Sequence, residues 1–271
     1  MNRIPSASDL LNEPSDSPLL YEEAGELSLH FDFPTIQSRM LKTEPEKLML
    51  DYTRTMMGFL LFQPQPQRIA MIGLGGGSLA KYCRHKLPST DFTAIEISSE
   101  VIALRDQFQI PADGPLFRII CADGADYLRR TATPFDVLLV DGFDAGGQPE
   151  QLCSAAFYDD CYAQLAEGGL LVVNLCADDA GYDSYVRRIA DSFSEKMVIV
   201  EADEGENKIA FASKGGIFPP TFSVLAERLR MLEPAHPVGL DQSARRILQY
   251  PQTGGQSRPA RGKSQRRRGG S

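Results

Sequence analysis

From residue 68 onward the chain falls into a rhythm that few folds can satisfy. Five short apolar runs, RIAMIG (68–73), FTAIEI (92–97), LFRIICA (116–122), FDVLLVD (135–141) and GLLVVNL (169–175), alternate with segments of helical patterning around 78–86, 99–108, 124–130 and 154–166. A strand with one wet face is apolar at every second position, whereas these runs are apolar at successive positions. They therefore predict parallel strands covered on both faces. Repeated strand–helix units wind into an open sheet through right-handed crossovers. A further helix over 180–194 leads into KMVIVEADEGENKIAFAS (196–213), which reads as two strands about a polar turn at 204–207. The expected fold is α/β: a doubly wound, seven-stranded, mostly parallel sheet with a closing hairpin that a plain dinucleotide-binding sheet lacks.

Upstream, ELSLHFDF (26–33) alternates and TIQSRML (35–41) follows it, predicting a small N-terminal β-hairpin. PEKLMLDYTRTMMGFLLF (45–62) opens on proline and repeats apolar residues at three and four, the pattern of a helix, which PQPQ (64–67) breaks. The expected organisation is a disordered N-terminus over 1–18, a hairpin and helix over 19–62, a nucleoside-binding catalytic domain over 63–250 and a disordered basic tail over 251–271. One or two amphipathic helices are expected within 215–250.

Composition removes several function classes. No apolar run approaches the ~18–20 residues of a membrane span, and the N-terminus lacks a secretory signal, so a cytoplasmic protein without membrane contact is expected. The five cysteines form no CxxC pair, and His30, His85 and His236 share no ligand spacing, so neither a disulfide frame nor a metal site is expected. The formal net charge is −8, yet the last fifteen residues hold six basic side chains and no acid, leaving the body more acidic still. An acidic body suits a cationic small substrate and disfavours nucleic acid, except at the tail.

The chemistry is expected at QRIAMIGLGGGSLAKYC (67–83), where Gly73, Gly75, Gly76 and Gly77 crowd the turn between a strand and a helix. Such a turn aims backbone N–H groups and a helix N-terminus at the carboxyl edge of the sheet, where open α/β sheets bind ligands. Glu96 closes the next run, where a carboxylate can accept from both hydroxyls of a ribose. Asp123, with Gly124, follows the third run and Asp141 ends the fourth. Capping of the next helix explains any one of these acids, and Asp123 suits an N-cap, but three with a glycine loop in front point to a nucleoside pocket. Tyr127 and Phe143 could sandwich an adenine or belong to the core, and Asp178 and Asp179 are expected to cap the helix that follows them.

The order glycine loop, Glu96, Asp123–Gly124 and Asp141 resembles the class I S-adenosylmethionine-dependent methyltransferase fold. More narrowly, DGFDAGGQPEQLCSAAFY (141–158) is similar to the spermidine synthase (polyamine aminopropyltransferase) pattern D-[ST]-x-D-P-x-G-P-A-E-x-L-F-S-x-x-F-Y. Asp141, Asp144, Gly147, Glu150, Leu152, Ser154, Phe157 and Tyr158 fall in register without a gap. The resemblance covers about residues 26–213 and implies roles. Glu96 would hold the ribose and Asp123 the adenine amino group. The loop amides at Gly73, Gly75 and Gly77, with Gly124, would lie under the nucleoside, and Gln37 would reach in from the hairpin. Asp141 would deprotonate an incoming primary amine and Asp144 would pair with its cationic nitrogen. The co-substrate implied is decarboxylated S-adenosylmethionine or S-adenosylmethionine itself, with a small amine such as putrescine as acceptor and no metal; a homodimer is left open.

The pattern departs in places. Gly76 stands where the family carries a loop aspartate, Gly142 and Ala145 replace Ser/Thr and Pro, and ADEGENKIAF replaces the aromatic Y-P-S-G segment. Three readings stay open: an aminopropyltransferase, a methyltransferase, and a nucleoside-binding homologue without turnover.

Overall fold

The structure, a computed structural model, describes residues 17–31, 35–143, 147–203, 207–216 and 218–250. The predicted N-terminal and tail segments, residues 204–206 of the predicted turn and the expected catalytic Asp144 fall outside these residues, apart from 17 and 18.

The expected N-terminal hairpin is present, and a further strand extends it to a three-stranded antiparallel sheet. β1 (Leu19–Glu23), β2 (Glu26–His30) and β3 (Ser38–Leu41) pair in that order. LLYEE carries only two apolar residues and lies half-buried to exposed, so its sequence hides a strand that pairing with β2 completes. The helix expected from Pro45 is also shorter: α1 runs Asp51–Met56 and passes into a 3-10 turn over Met57–Leu61. Residues 57–61 are all buried there, so tertiary packing, not helical periodicity, accounts for the apolar spacing of this stretch.

The main sheet contains β4 (Arg68–Ile72), β5 (Asp91–Glu96), β6 (Phe117–Cys121), β7 (Phe135–Val140), β8 (Leu165–Cys176), β9 (Met197–Glu201) and β10 (Asn207–Ser213), in the order β6-β5-β4-β7-β8-β10-β9. The first five pair in parallel, and β10 runs antiparallel to both β8 and β9. The helices between strands are α2 (Ser78–Lys86), α3 (Ser99–Ala103), α4 (Gly124–Arg130), α5 (Ala155–Gln164) and α6 (Tyr182–Ser192), followed by α7 (Phe222–Leu232) and α8 (Leu240–Gln249).

The continuous apolar runs have a direct cause. Along β4, Ile69 and Met71 pack into one core cluster with α1, α2, α7, α8 and the small sheet, while Ala70 and Ile72 face a second cluster with α4, α5 and α6. A period-2 strand between two cores must be apolar at every position. Each large side chain so buried contributes roughly 1.5–3 kcal/mol. Local caps fix where the helices begin: Ser98 accepts from the Val101 N–H at 3.2 Å, Asp123 from the Asp126 N–H at 2.8 Å and Ser154 from the Phe157 N–H at 3.1 Å. α5 ends at Gln164 and Leu165 already belongs to β8, so the expected helix over 154–166 stops short at the strand that claims its end.

Candidate active site

The sheet order reverses between β4 and β7, and the loops leaving the carboxyl ends of the strands part there. They open a cavity of about 830 Å³. Each strand end delivers side chains to it by register alone: Glu96 ends β5, Asp123 and Asp141 follow β6 and β7, and all three line the cavity. Gly73, Gly75 and Gly124 also line it, and Gln37 enters from the turn before β3. Gly77 does not; it begins α2 in the left-handed region at φ +68°.

Glu96 is held by two backbone amides. Its Oε2 accepts from the Leu74 N–H at 2.9 Å and its Oε1 from the Ser98 N–H at 2.8 Å. Each oxygen keeps a further lone pair for the cavity, as a vicinal diol requires. Ile97, 63% exposed beside it, offers the wall an apolar face. Asp123 both lines the cavity and caps α4.

The crowding in the glycine loop has a cause within the protein. A Cβ on Gly73, at φ +91°, would sit 2.2 Å from the Asp141 carbonyl oxygen. One on Gly76 would lie 2.7 Å from both the Phe108 ring and Ser38 Oγ, and one on Gly77 would lie 2.6 Å from Ile110 Cδ1. The protein's own neighbours exclude side chains at these three. Gly75 is the member of the four whose added Cβ meets nothing nearer than Ser38, at 3.8 Å.

Asp141 sits between two side-chain donors. The Tyr52 hydroxyl donates to its Oδ2 at 3.2 Å and Asn174 Nδ2 donates to its Oδ1 at 2.8 Å. The carboxylate keeps some surface open to the cavity but lies deep below the molecular surface. Burial raises its pKa above the usual carboxylate value, and the two hydrogen bonds oppose that rise by stabilising the charged form. Burial, followed by the Asp141 charge, pushes the Tyr52 phenol well above its ordinary value, so it stays a proton donor. Burial thus holds the Asp141 carboxyl above the usual carboxylate range, and Asp141 caps no helix: α5 is capped by Ser154.

Three further groups belong to the site. Tyr52 lies in a helix whose pattern reads as ordinary core. Asn174 and Asn207 line the cavity, and Asn207 Nδ2 donates to Asn174 Oδ1 at 2.9 Å. Asn174 leaves a trace in the sequence, as the polar residue inside GLLVVNL. Phe143 lines the cavity, whereas Tyr127 packs against the second core cluster. Asp178 and Asp179 line the cavity and cap no helix. The N-cap of α6 is Gly181, and Asp179 instead accepts from the Gly181 N–H at 2.7 Å and from the Tyr185 hydroxyl at 3.3 Å. Five carboxylates line the cavity (Glu96, Asp123, Asp141, Asp178 and Asp179), with no Lys, Arg or His among the described lining residues.

Known proteins resemble this chain over most of its length. The spermine/spermidine synthase domain matches residues 49–204. A polyamine aminopropyltransferase of Chromobacterium violaceum is 37% identical over 213 residues, covering 78% of this chain and 82% of the relative. A probable spermidine synthase of Corynebacterium glutamicum superposes with a TM-score of 0.67 at 22% identity, over 80% of this chain and 83% of that one. A spermidine synthase in complex with the transition-state analogue AdoDATO gives a TM-score of 0.60 at 22% identity, over 83% and 87%. The solved structures share the fold, and the domain match and the curated relative fix the kinship: the chain belongs to the spermine/spermidine synthase family.

Proposed function

We propose that this protein is a polyamine aminopropyltransferase, moving an aminopropyl group from decarboxylated S-adenosylmethionine to a small primary amine such as putrescine. The observation that carries the reading is the sign of the cavity: five carboxylates and no cationic side chain among its described lining residues. A sulfonium bearing an ammonium tail and a polyamine acceptor are both cations. The carboxylate of intact S-adenosylmethionine would find no cationic side chain there, which weighs against methyl transfer.

In this reading Glu96 takes the ribose hydroxyls on its free lone pairs, held in place by Leu74 and Ser98. Ile97 and the Asp123–Gly124 turn border the base, and the backbone at Gly73 and Gly75 lies along the nucleoside. Gln37 and Tyr52 close the site from the N-terminal side. The donor, when bound, supplies an electrophilic carbon next to the sulfonium. An ammonium is no nucleophile, so Asp141 takes one proton from the acceptor. The freed amine attacks, the new C–N bond forms as the C–S bond breaks, and its electron pair leaves on sulfur as neutral methylthioadenosine. Asp144 remains the assigned partner of the acceptor's cationic nitrogen.

Incubation of pure protein with decarboxylated S-adenosylmethionine and a panel of di- and polyamines should release methylthioadenosine, detected chromatographically. No product with any amine would overturn the assignment. Tighter calorimetric binding of the carboxylated donor would favour methyl transfer instead.

A further inference from the structure

The proton taken by Asp141 has two oxygens to choose from, and the surrounding amides distinguish them. Asn174 Nδ2 faces Oδ1 at 2.8 Å, and Asn174 Oδ1 is itself engaged by Asn207 Nδ2 at 2.9 Å. Strand register produces this line. β7 and β8 pair in parallel with Val140 opposite Val173, so Asn174 falls next to Asp141, and β10 brings Asn207 alongside β8. The amide cannot turn over to accept from a protonated Oδ1 without losing Asn207 and facing its NH₂ group with another. On the other side the donor is a hydroxyl, which rotates freely. The Tyr52 hydroxyl has a second acceptor within reach, the Gln37 carbonyl at 3.5 Å.

We infer that Asn174 and Asn207 form a positioning pair that keeps Oδ1 of Asp141 unprotonated and directs the amine's proton to Oδ2. When the proton arrives, the Tyr52 hydroxyl turns to the Gln37 carbonyl, and its oxygen accepts from the new Oδ2–H. Each donor keeps a partner throughout and Asn174 stays still. The inference rests on the reading of Asp141 as the base. The other charged groups around the cavity are Glu96, Asp123, Asp178 and Asp179, all carboxylates, and no cation lines it among the described residues. The neutral amides are therefore what opposes the rise in the Asp141 pKa on the Oδ1 side.

The test reads Asp141 directly, without substrate. Its carboxyl carbon, labelled with ¹³C and assigned with Asp141→Asn, is titrated by NMR in the parent protein, Asn174→Leu, Asn207→Ala and the double variant. Losing the Asn174 hydrogen bond should move the midpoint up by about one pH unit. Asn207→Ala should move it in the same direction by less, and should add nothing in the Asn174→Leu background, because it acts through Asn174. The protection of the Asn207 side-chain amide against exchange should be the same above and below the midpoint. Equal effects of Asn207→Ala in both backgrounds, or protection lost on protonation, would overturn the pair. If Asn174→Leu does not fold, Asn207→Ser, which keeps a donor, should restore the parent midpoint that Asn207→Ala loses; failure to restore it also counts against the pair. Absence of aminopropyl transfer with this coupling intact would refute the reaction and leave the pair standing.

Discussion

Replacing Lys81 by methionine should change how stability depends on pH. Lys81 lies on α2 and is 4% exposed, with its Nζ donating to the Phe108 carbonyl at 2.8 Å and lying 3.0 Å from Met40 Sδ. No carboxylate lies within ion-pair distance among the described residues; Glu46 acts only from further away. Burial, the largest influence, lowers the Lys81 pKa from 10.5 to about 7, and Glu46 raises it slightly. The sign follows from proton counting. Below pH 7 both folded and unfolded states hold the proton, and the fold bears the cost of a buried ammonium. Between about 7 and 10.5 the unfolded chain holds a proton that the fold has released, so stability rises with pH by about 1.4 kcal/mol per unit. From pH 7 to 9 this is on the order of 2–3 kcal/mol, less if the site relaxes or admits water. Lys81→Met keeps most of the apolar stem and removes the titration, at the cost of one donor to Phe108, worth about 1 kcal/mol. Urea unfolding of both proteins at pH 7 and 9 is the assay. The variant should be relatively more stable at pH 7 and lose that advantage by pH 9. Parallel stabilities across the interval would refute the reasoning, since a Lys81 titrating near its ordinary value would contribute no slope there.

Other outcomes follow from the site. Asp141→Asn should lower kcat by about 10²–10⁴-fold with donor affinity nearly intact, while thermal melts show no loss of stability because Ser154, not Asp141, caps α5. In the parent, the acid limb of kcat should lie above pH 3.8, because burial raises the Asp141 pKa and the rate disappears as pH falls through it. Glu96→Gln should weaken donor binding by about 1.5–3 kcal/mol in calorimetry and leave kcat at saturation less affected. Gly76→Asp should not improve the enzyme: its Cβ would meet Phe108 and Ser38 at 2.7 Å, and the expected loss of about 1–3 kcal/mol should appear as a lower melting temperature.

Much of the site was legible because strand ends are legible. Glu96 and Asp141 close apolar runs and Asp123 follows one, and parallel strands carry their ends to one edge. The glycine loop was equally visible, but its cause was not. Gly73 is crowded by Asp141, 68 positions on, and Gly76 by Ser38, 38 positions back, while the turn bearing Phe108 and Ile110 crowds Gly76 and Gly77. Tyr52 was hidden because a helix of ordinary periodicity gives no sign of which residue will face a distant strand. β1 was hidden because LLYEE has no core-facing pattern of its own and exists through hydrogen bonds to β2.

By itself, then, the sequence determined the parts that depend on local period and punctuation. The doubly covered strands declare themselves by unbroken apolarity, the start of α4 by Asp123, and the family by the block from Asp141 to Tyr158. Only the tertiary structure decided the chemistry of Asp141. Its raised pKa comes from burial under elements far apart in the chain, and its two hydrogen bonds come from Tyr52, 89 residues before it, and Asn174, 33 residues after it. Desolvation and hydrogen-bond geometry depend on distances in space, and those exist only once the sheet has set its register.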